Sequence, residues 1–336
     1  MPRVYNFNPG PAVLPEEVLK EAQKELLDYK SSGMSIMESS HRGKEYSAVH
    51  EEAIANLKKL LNISDDYAVL LLQGGASTQF AMVPMNLLGK GQTADYANSG
   101  AWASKAIKEA KKIGNVNIAA DCSKEIPTRV PAEKELKLTK NAAYVHITSN
   151  ETISGAQWKT FPKTDSPLIA DMSSDILSRP FDAGQFGLIY AGAQKNLGPA
   201  GLCAVAMRKD LAERAPDSLP TMFNYKTHIE ENSLYNTPPC FSIYIMMLVT
   251  RWTLKIGLEN LHKQNRGKAA KIYKAIDGSN YYKGTAVPEC RSDMNITFRL
   301  PSEQLEEQFL KEALNKIKTG ATITTENTSK NEEKTE

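Results

Sequence analysis

The chain predicts an α/β fold, a mainly parallel mixed sheet covered on both faces by helices and followed by a smaller C-terminal α/β domain, and three observations lead there. Short apolar runs recur along most of the chain, each of a length that suits a buried strand. Segments with apolar residues at helical spacing lie between them. Glycine-rich or polar turns stand where the runs end, which is where sheets of this class place their ligands.

Taken in order, Asn8-Pro9-Gly10-Pro11 is a turn cluster, and Pro15 stands where a helix begins, because its missing N–H is one that a first helical turn leaves unpaired anyway. Val18, Ala22, Leu26 and Tyr29 follow at helical spacing, and Gly33 ends that helix. A second amphipathic helix is predicted from about Tyr46 to Leu61. Ala68 to Leu72 reads as a buried strand that enters the next helix through Gln73-Gly74-Gly75-Ala76-Ser77-Thr78. Further strands are predicted at Thr93 to Ala97, Val116 to Ala119, Ala143 to Thr148, Leu168 to Asp171, Leu188 to Ala191 and Leu202 to Met207, with a helix centred on Ala106. The pattern changes after about Gly257, where a helix through Leu261, Ala269 and Ile272 precedes one alternating strand, Asp293 to Leu300, and a helix from Ser302 to about Ile317. From Lys318 the chain has few apolar residues to offset its ordering entropy, so the stretch 318–336 is expected to be a disordered tail.

Composition narrows the function. With 336 residues, 41% of them hydrophobic and 24% charged, the chain is an ordinary globular one. A net charge of +2 against 41 basic and 39 acidic side chains gives no field to draw nucleic acid or a membrane, so a small polar ligand is expected. The longest apolar run, Phe241 to Val249, is far short of the roughly 20 residues that span a bilayer. The start MPRVYNFNPGP lacks the apolar core of a secretory signal, and a cytoplasmic location is expected. Four cysteines without a CxxC pair and five histidines without HExxH argue against a metal site and a disulfide framework.

Lys195-Asn196-Leu197 followed by Gly198-Pro199-Ala200-Gly201 puts a lysine between a strand and a glycine-rich turn. Alone it is an ordinary loop lysine. Asp171 closes the apolar strand Leu168-Ile169-Ala170 at the same predicted edge, and the two together suit pyridoxal 5'-phosphate (PLP): an amine to form a Schiff base and a carboxylate to keep the pyridine nitrogen protonated. A helix cap beside Ser173 and Ser174 is the plainer reading of Asp171. The turn Gly74 to Thr78 would present backbone N–H groups to a dianionic phosphate, with Ser77 adding a hydroxyl, although a tight turn explains the glycines as well. Trp102, after Asn98-Ser99-Gly100, is placed to stack on a planar ring or to fill the core. Arg42, in Ser39-Ser40-His41-Arg42-Gly43, is a candidate for binding a substrate carboxylate.

Together these segments resemble the phosphoserine aminotransferase family, from the amino terminus to about Lys316: NFNPGPAVLP, SHRGKEY, LLLQGGASTQF, NSGAWASKA, HITSNETISG, IADMSSDILSRP, IYAGAQKNLGPAG and YNTPPCFSIY stand in the family's order and spacing. The resemblance implies the fold type I of PLP-dependent transferases, with a large PLP-binding domain at 12–257 and a small domain built from 1–11 and 258–317. It also implies that Lys195 is the Schiff-base lysine, Asp171 the partner of the ring nitrogen, Trp102 the stacking group and Thr152 the hydroxyl near the cofactor's phenolic oxygen. Ala76, Ser77 and Gln194 would hold the phosphate, joined by Asn236 and Thr237 from the second subunit of a homodimer with shared sites. His41 and Arg42 match positions that contact phosphoserine or glutamate. The reaction implied passes the amino group of glutamate to 3-phosphohydroxypyruvate, giving phosphoserine and 2-oxoglutarate in serine biosynthesis, with pyridoxine-pathway substrates accepted by many members.

One departure bears on activity. In the family the helix matching Leu305 to Lys316 is followed by a strand, a segment whose arginines bind the substrate's phosphate and carboxylate, and a final helix, where this chain has its polar tail. The resemblance therefore implies an incomplete small domain, and the alternative to an active aminotransferase is a PLP-binding homologue with impaired or no transamination. Each missing guanidinium would remove charge-assisted hydrogen bonds worth about 1.5–3 kcal/mol.

Overall fold

The computed structural model describes residues 3–317, so the tail expected at 318–336 lies outside the described residues. Chain order begins with α1 (Glu16–Glu25), α2 (Lys44–Leu61), β1 (Tyr67–Gln73), α3 (Gly75–Leu87), β2 (Thr93–Asn98), α4 (Ala101–Ile113) and β3 (Asn115–Asp121). It continues through β4 (Val145–Thr148), the short hairpin β5 (Asn150–Glu151) and β6 (Ala156–Gln157), β7 (Leu168–Asp171), β8 (Phe186–Gly192), α5 (Ala193–Asn196), β9 (Leu202–Arg208), α6 (Lys209–Ala212) and α7 (Tyr225–Glu230). Helices α8 (Cys240–Ile256) and α9 (Leu258–Asp277), strands β10 (Lys283–Gly284) and β11 (Phe298–Arg299), and α10 (Glu303–Ile317) complete the described chain.

Seven strands form one sheet in the order β1-β9-β8-β7-β4-β2-β3. Strands β3, β2, β4, β7 and β8 run parallel to one another, whereas β9 is antiparallel to both its neighbours, β8 and β1. The strands alternate in the faces they serve: Val69 and Leu71 of β1 join one core with α1, α2 and α8, while Ala68, Leu70 and Leu72 join the other with α3, α4 and α7. Both faces are thereby buried, which explains why the strands read as continuous apolar runs. The strands predicted between Ala68 and Met207 lie inside observed ones, except that Ala143 and Tyr144 precede the start of β4, and Leu168–Asp171 matches residue for residue.

Two expectations are corrected. The first helix stops at Glu25 instead of reaching Gly33. Asp28 Oδ1 accepts from Gly33 N at 2.8 Å, and Tyr29 N donates to Met34 O at 2.9 Å, so a compact turn with Lys30 and Ser31 at positive φ replaces the last helical turns. Tyr29 is still buried, against Tyr244. The strand expected over Asp293 to Leu300 shrinks to Phe298–Arg299. Ser292 Oγ accepts from the amides of Met294 and Asn295, at 3.0 and 2.9 Å, and Asp293 N donates to Gln157 Oε1, so these amides serve a turn instead of a ladder.

The run Phe241–Val249 lies in α8, where residues from Ile243 to Val249 are buried under the sheet. At Gly257, with φ of 84°, the chain turns by 90° into α9. No single helix among the described residues is long and apolar enough to cross a membrane. Beyond α9, Tyr282, Phe298 and Phe309 pack edge to face, with ring centres 5.4 and 5.8 Å apart along the chain of contacts.

Candidate active site

The parallel strands end at one edge of the sheet, and Asn98, Thr148, Asp171 and Gly192 are their last residues there. Lys195 sits one short turn beyond Gly192, in α5, and is half-buried. Its Nζ lies 2.5 Å from Thr152 Oγ1, in the loop after β5, and 4.7 Å from the centre of the Trp102 ring at the start of α4. The lysine segment is held from the other side by the amino-terminal turn: Ala12 N donates to Gln194 O at 2.8 Å, and a Cβ on Gly10 would come within 2.9 Å of Lys195 Cγ. A glycine is required there because the chain runs directly over the lysine's stem.

Asp171 is buried at the end of β7, directly across from Tyr190 on β8. Its Oδ1 accepts from both the amide and the hydroxyl of Ser173, at 2.9 and 2.6 Å, and Ser173 Oγ in turn accepts from Gly192 N at 3.0 Å. The plainer reading of Asp171 as a helix cap is not met, because the residues that follow it form a turn and no helix. The Ser173 bonds fix the carboxylate, leaving Oδ2 without a hydrogen bond among the described residues. The segment 149–152 is interlocked with 171–175: Ser149 donates to Asp171 O and to Asp175, Ser174 Oγ donates to Asn150 O at 2.8 Å, and Asn150 Nδ2 donates to Ser174 Oγ at 2.8 Å.

At β1 the turn into α3 has Gly74 at φ 86° and Gly75 at φ 63°, where side chains are disfavoured, and a Cβ on Gly74 would overlap the Thr78 side chain. The first N–H groups of α3 have no partner within the helix and face the same sheet edge. Ala76 N lies 3.4 Å from where a Cβ of Gly192 would be, and Gln194 reaches the same point. So Ala76 and Gln194 meet in space, with Ser77 exposed beside them.

The remaining expected residues make no hydrogen bond to Lys195 among the described residues. Arg42 is exposed, and its Nε donates to His41 Nε2 at 3.4 Å. Asn236 and Thr237 lie beside the end of β1, where Asn236 Nδ2 donates to Gln73 Oε1 at 3.1 Å and Gln73 Nε2 donates to Thr237 O at 3.0 Å. Sequence reasoning missed Glu151 and Asp175, which are buried and polar in the two interlocked segments. The only signal for them was the density of polar residues in SNET and DMSSD right after apolar strands.

Burial dominates the electrostatics. It pulls the Lys195 ammonium below the usual lysine range, opposed by the negative charges of Asp171, Glu151 and Asp175. It pushes the Asp171 carboxyl up, opposed by its two Ser173 bonds and by Lys195. An amine whose burial favours the neutral form, at the same sheet edge as a fixed carboxylate with one oxygen uncommitted among the described residues, suits Schiff-base chemistry. The donor set fits a phosphorylated pyridine: Trp102 Nε1 is buried without a partner among the described residues, and the amides opening α3 face the same edge.

Comparison with known proteins agrees with that chemistry. The family profile of aminotransferase class V matches residues 4–331. The chain is 58% identical over 312 residues to the phosphoserine aminotransferase of Niallia circulans, covering 92% of this chain and 86% of that protein. Among solved structures, phosphoserine aminotransferase from Bacillus circulans subsp. alkalophilus superposes with a TM-score of 0.91 at 55% identity, over 95% of this chain and 89% of that one. The PLP-bound phosphoserine aminotransferase of Trichomonas vaginalis gives 0.89 at 37% identity, over 93% and 90% of the two chains.

Proposed function

Because the chain belongs to the class-V aminotransferases and, within them, to the phosphoserine aminotransferase family, we propose that it transfers the amino group of glutamate to 3-phosphohydroxypyruvate through Lys195, giving phosphoserine and 2-oxoglutarate. The observation that carries the assignment of residues is the meeting of the Lys195 amine with Thr152 and Trp102 at the sheet edge that Asp171 closes.

PLP, when bound, supplies an electron sink and a temporary carrier for the amino group. Asp171, Trp102, Thr152, Ala76, Ser77, Gln194 and Lys195 are the residues of this chain that would hold it. Lys195 has two tasks, to anchor the cofactor and, once freed by the amino substrate, to take the proton from the substrate's Cα and return it. Burial favours the neutral amine that this second task needs. Thr152 Oγ1 orients Nζ between the two tasks. Asp171, locked by Ser173, offers its free oxygen to the ring nitrogen. Trp102 supplies a flat wall that excludes water from one face.

His41 and Arg42 supply the substrate end, where a guanidinium without an acidic partner among the described residues can pair with a carboxylate. Asn236 and Thr237, part-exposed beside Gln73 at the end of β1, serve the phosphate of a second copy in a homodimer. A cytoplasmic location is part of the same proposal, because the reaction joins two small polar metabolites. The test is to follow 2-oxoglutarate released from glutamate and 3-phosphohydroxypyruvate: turnover is expected, and none from folded, PLP-loaded protein rejects the assignment.

A further inference from the structure

Glu151 is the most deeply buried carboxylate next to the site, fully enclosed although nothing in the reaction above uses it. Its Oε1 accepts from Ala103 N at 3.0 Å and Ser99 Oγ at 3.3 Å, and its Oε2 accepts from Trp102 N at 3.1 Å. These amides open α4, and their donors have no partner within the helix. Helices are ordinarily capped by a short polar side chain of the preceding residue, here Gly100, which has none. Glu151 reaches the same place from the β5 hairpin, and a Cβ on Gly100 would lie 2.8 Å from its carboxyl carbon. The backbone of Glu151 is itself pinned, by Gly155 N donating to its carbonyl at 2.8 Å and by pairing with Ala156. Thr152 follows it directly in the chain.

We propose that Glu151 is a positioning residue for the cofactor: its carboxylate clamps the start of α4, which carries Trp102, to the loop that carries Thr152, so the two groups flanking the Lys195 amine hold a fixed separation. The inference rests on the roles given above to Lys195, Trp102 and Thr152. Two amide donors and the α4 dipole favour the ionised form, while burial opposes it and lifts the carboxyl from its usual range. The carboxylate also adds negative potential at Lys195. A neutral amide of the same shape cannot reproduce this, because its nitrogen cannot accept from a backbone N–H.

The test compares the parent chain with Glu151→Gln and, as a variant that displaces the carboxylate without removing it, Gly100→Ala. Each is stripped of cofactor and titrated with PLP, following visible absorbance and the circular dichroism induced in the bound cofactor, with far-ultraviolet dichroism as the measure of folding. Both variants are expected to fold, to bind PLP about ten-fold more weakly, the loss of one charge-assisted hydrogen bond, and to show altered visible dichroism as Trp102 and Thr152 shift. Either variant, folded and with parental PLP affinity and dichroism, overturns the proposal, even if its thermal midpoint has fallen, because that pattern marks a plain helix cap. A parent that binds no PLP overturns instead the cofactor assignment itself.

Discussion

The amine of Lys195 and the hydroxyl of Thr152 are 2.5 Å apart, although the two residues come from different segments leaving the sheet. Thr152 is almost fully enclosed, so removing its hydroxyl leaves Nζ without this acceptor and without water to replace it. Thr152→Val is expected to lower kcat/KM about 10- to 100-fold, and Thr152→Ser to restore most of it. Steady-state kinetics, with a pH titration of the bound cofactor's absorbance, check both.

Asp171 has a different proposed task from Thr152, since it would hold the charge on the ring nitrogen. With Ser173 holding Oδ1, Asp171→Asn keeps the shape and loses the charge. Such a variant is expected to retain PLP but to lose about 10²- to 10³-fold in kcat, the usual cost of removing one electrostatic group from a reacting centre. Retained absorbance with unchanged kcat would contradict the role given to it.

Gly10 is exposed, yet its missing side chain matters. In Gly10→Ala the new carbon meets Lys195 Cγ at 2.9 Å, so either the turn or the lysine stem must shift. Weaker PLP binding is expected, by a few-fold, with little change in thermal midpoint in the absence of PLP. Equilibrium titration and melting curves separate the two effects.

His146, buried in β4, stacks on Tyr96 at 4.7 Å and places Nε2 2.9 Å from the Tyr190 hydroxyl. Burial lowers its pKa from the usual 6.5 to about 3. The folded pKa lies below the unfolded one, so the neutral ring's contribution to stability is complete above about pH 6.5 and is lost as pH falls toward the folded value. The parent is expected to lose stability between pH 6.5 and pH 4 more steeply than His146→Gln, by at most about 1.4 kcal/mol per pH unit. Denaturant melts at several pH values measure the difference in slope.

A homodimer with shared phosphate sites makes a mixing prediction. Lys195→Ala and the double variant Asn236→Ala, Thr237→Ala are each expected to be inactive or nearly so. Unfolded and refolded together, they should regain activity, because a mixed dimer contains one site with both sets intact. Absence of recovery in verified mixed dimers would place Asn236 and Thr237 outside the shared site.

Much of the fold is legible in the residues themselves because strands buried on both faces cannot hide: Leu168-Ile169-Ala170 and Leu202 to Met207 have no other plausible place. The placement of Lys195 and Asp171 is equally legible, since both stand where an apolar strand stops. Elements held by side-chain bonds are a different matter. Asp28 ends a helix early by capturing Gly33 N, and Ser292 unravels a strand by capturing two amides, events that spacing does not encode. Glu151 and Asp175 are less legible still, because acidic residues are ordinarily exposed and only the folded loops supply the donors that make their burial tolerable.

Strand β9 lies between β1, which leads into the Gly74-Gly75 turn, and β8, which leads into Lys195. A ribosome delivers both neighbours before it delivers the strand that joins them. Until residues 202–208 have emerged, the turn and the lysine belong to pieces with no sheet between them, so a nascent chain has no pocket to offer. The coenzyme is therefore expected to be captured late in synthesis, by a chain that has already threaded its reversed strand into the gap.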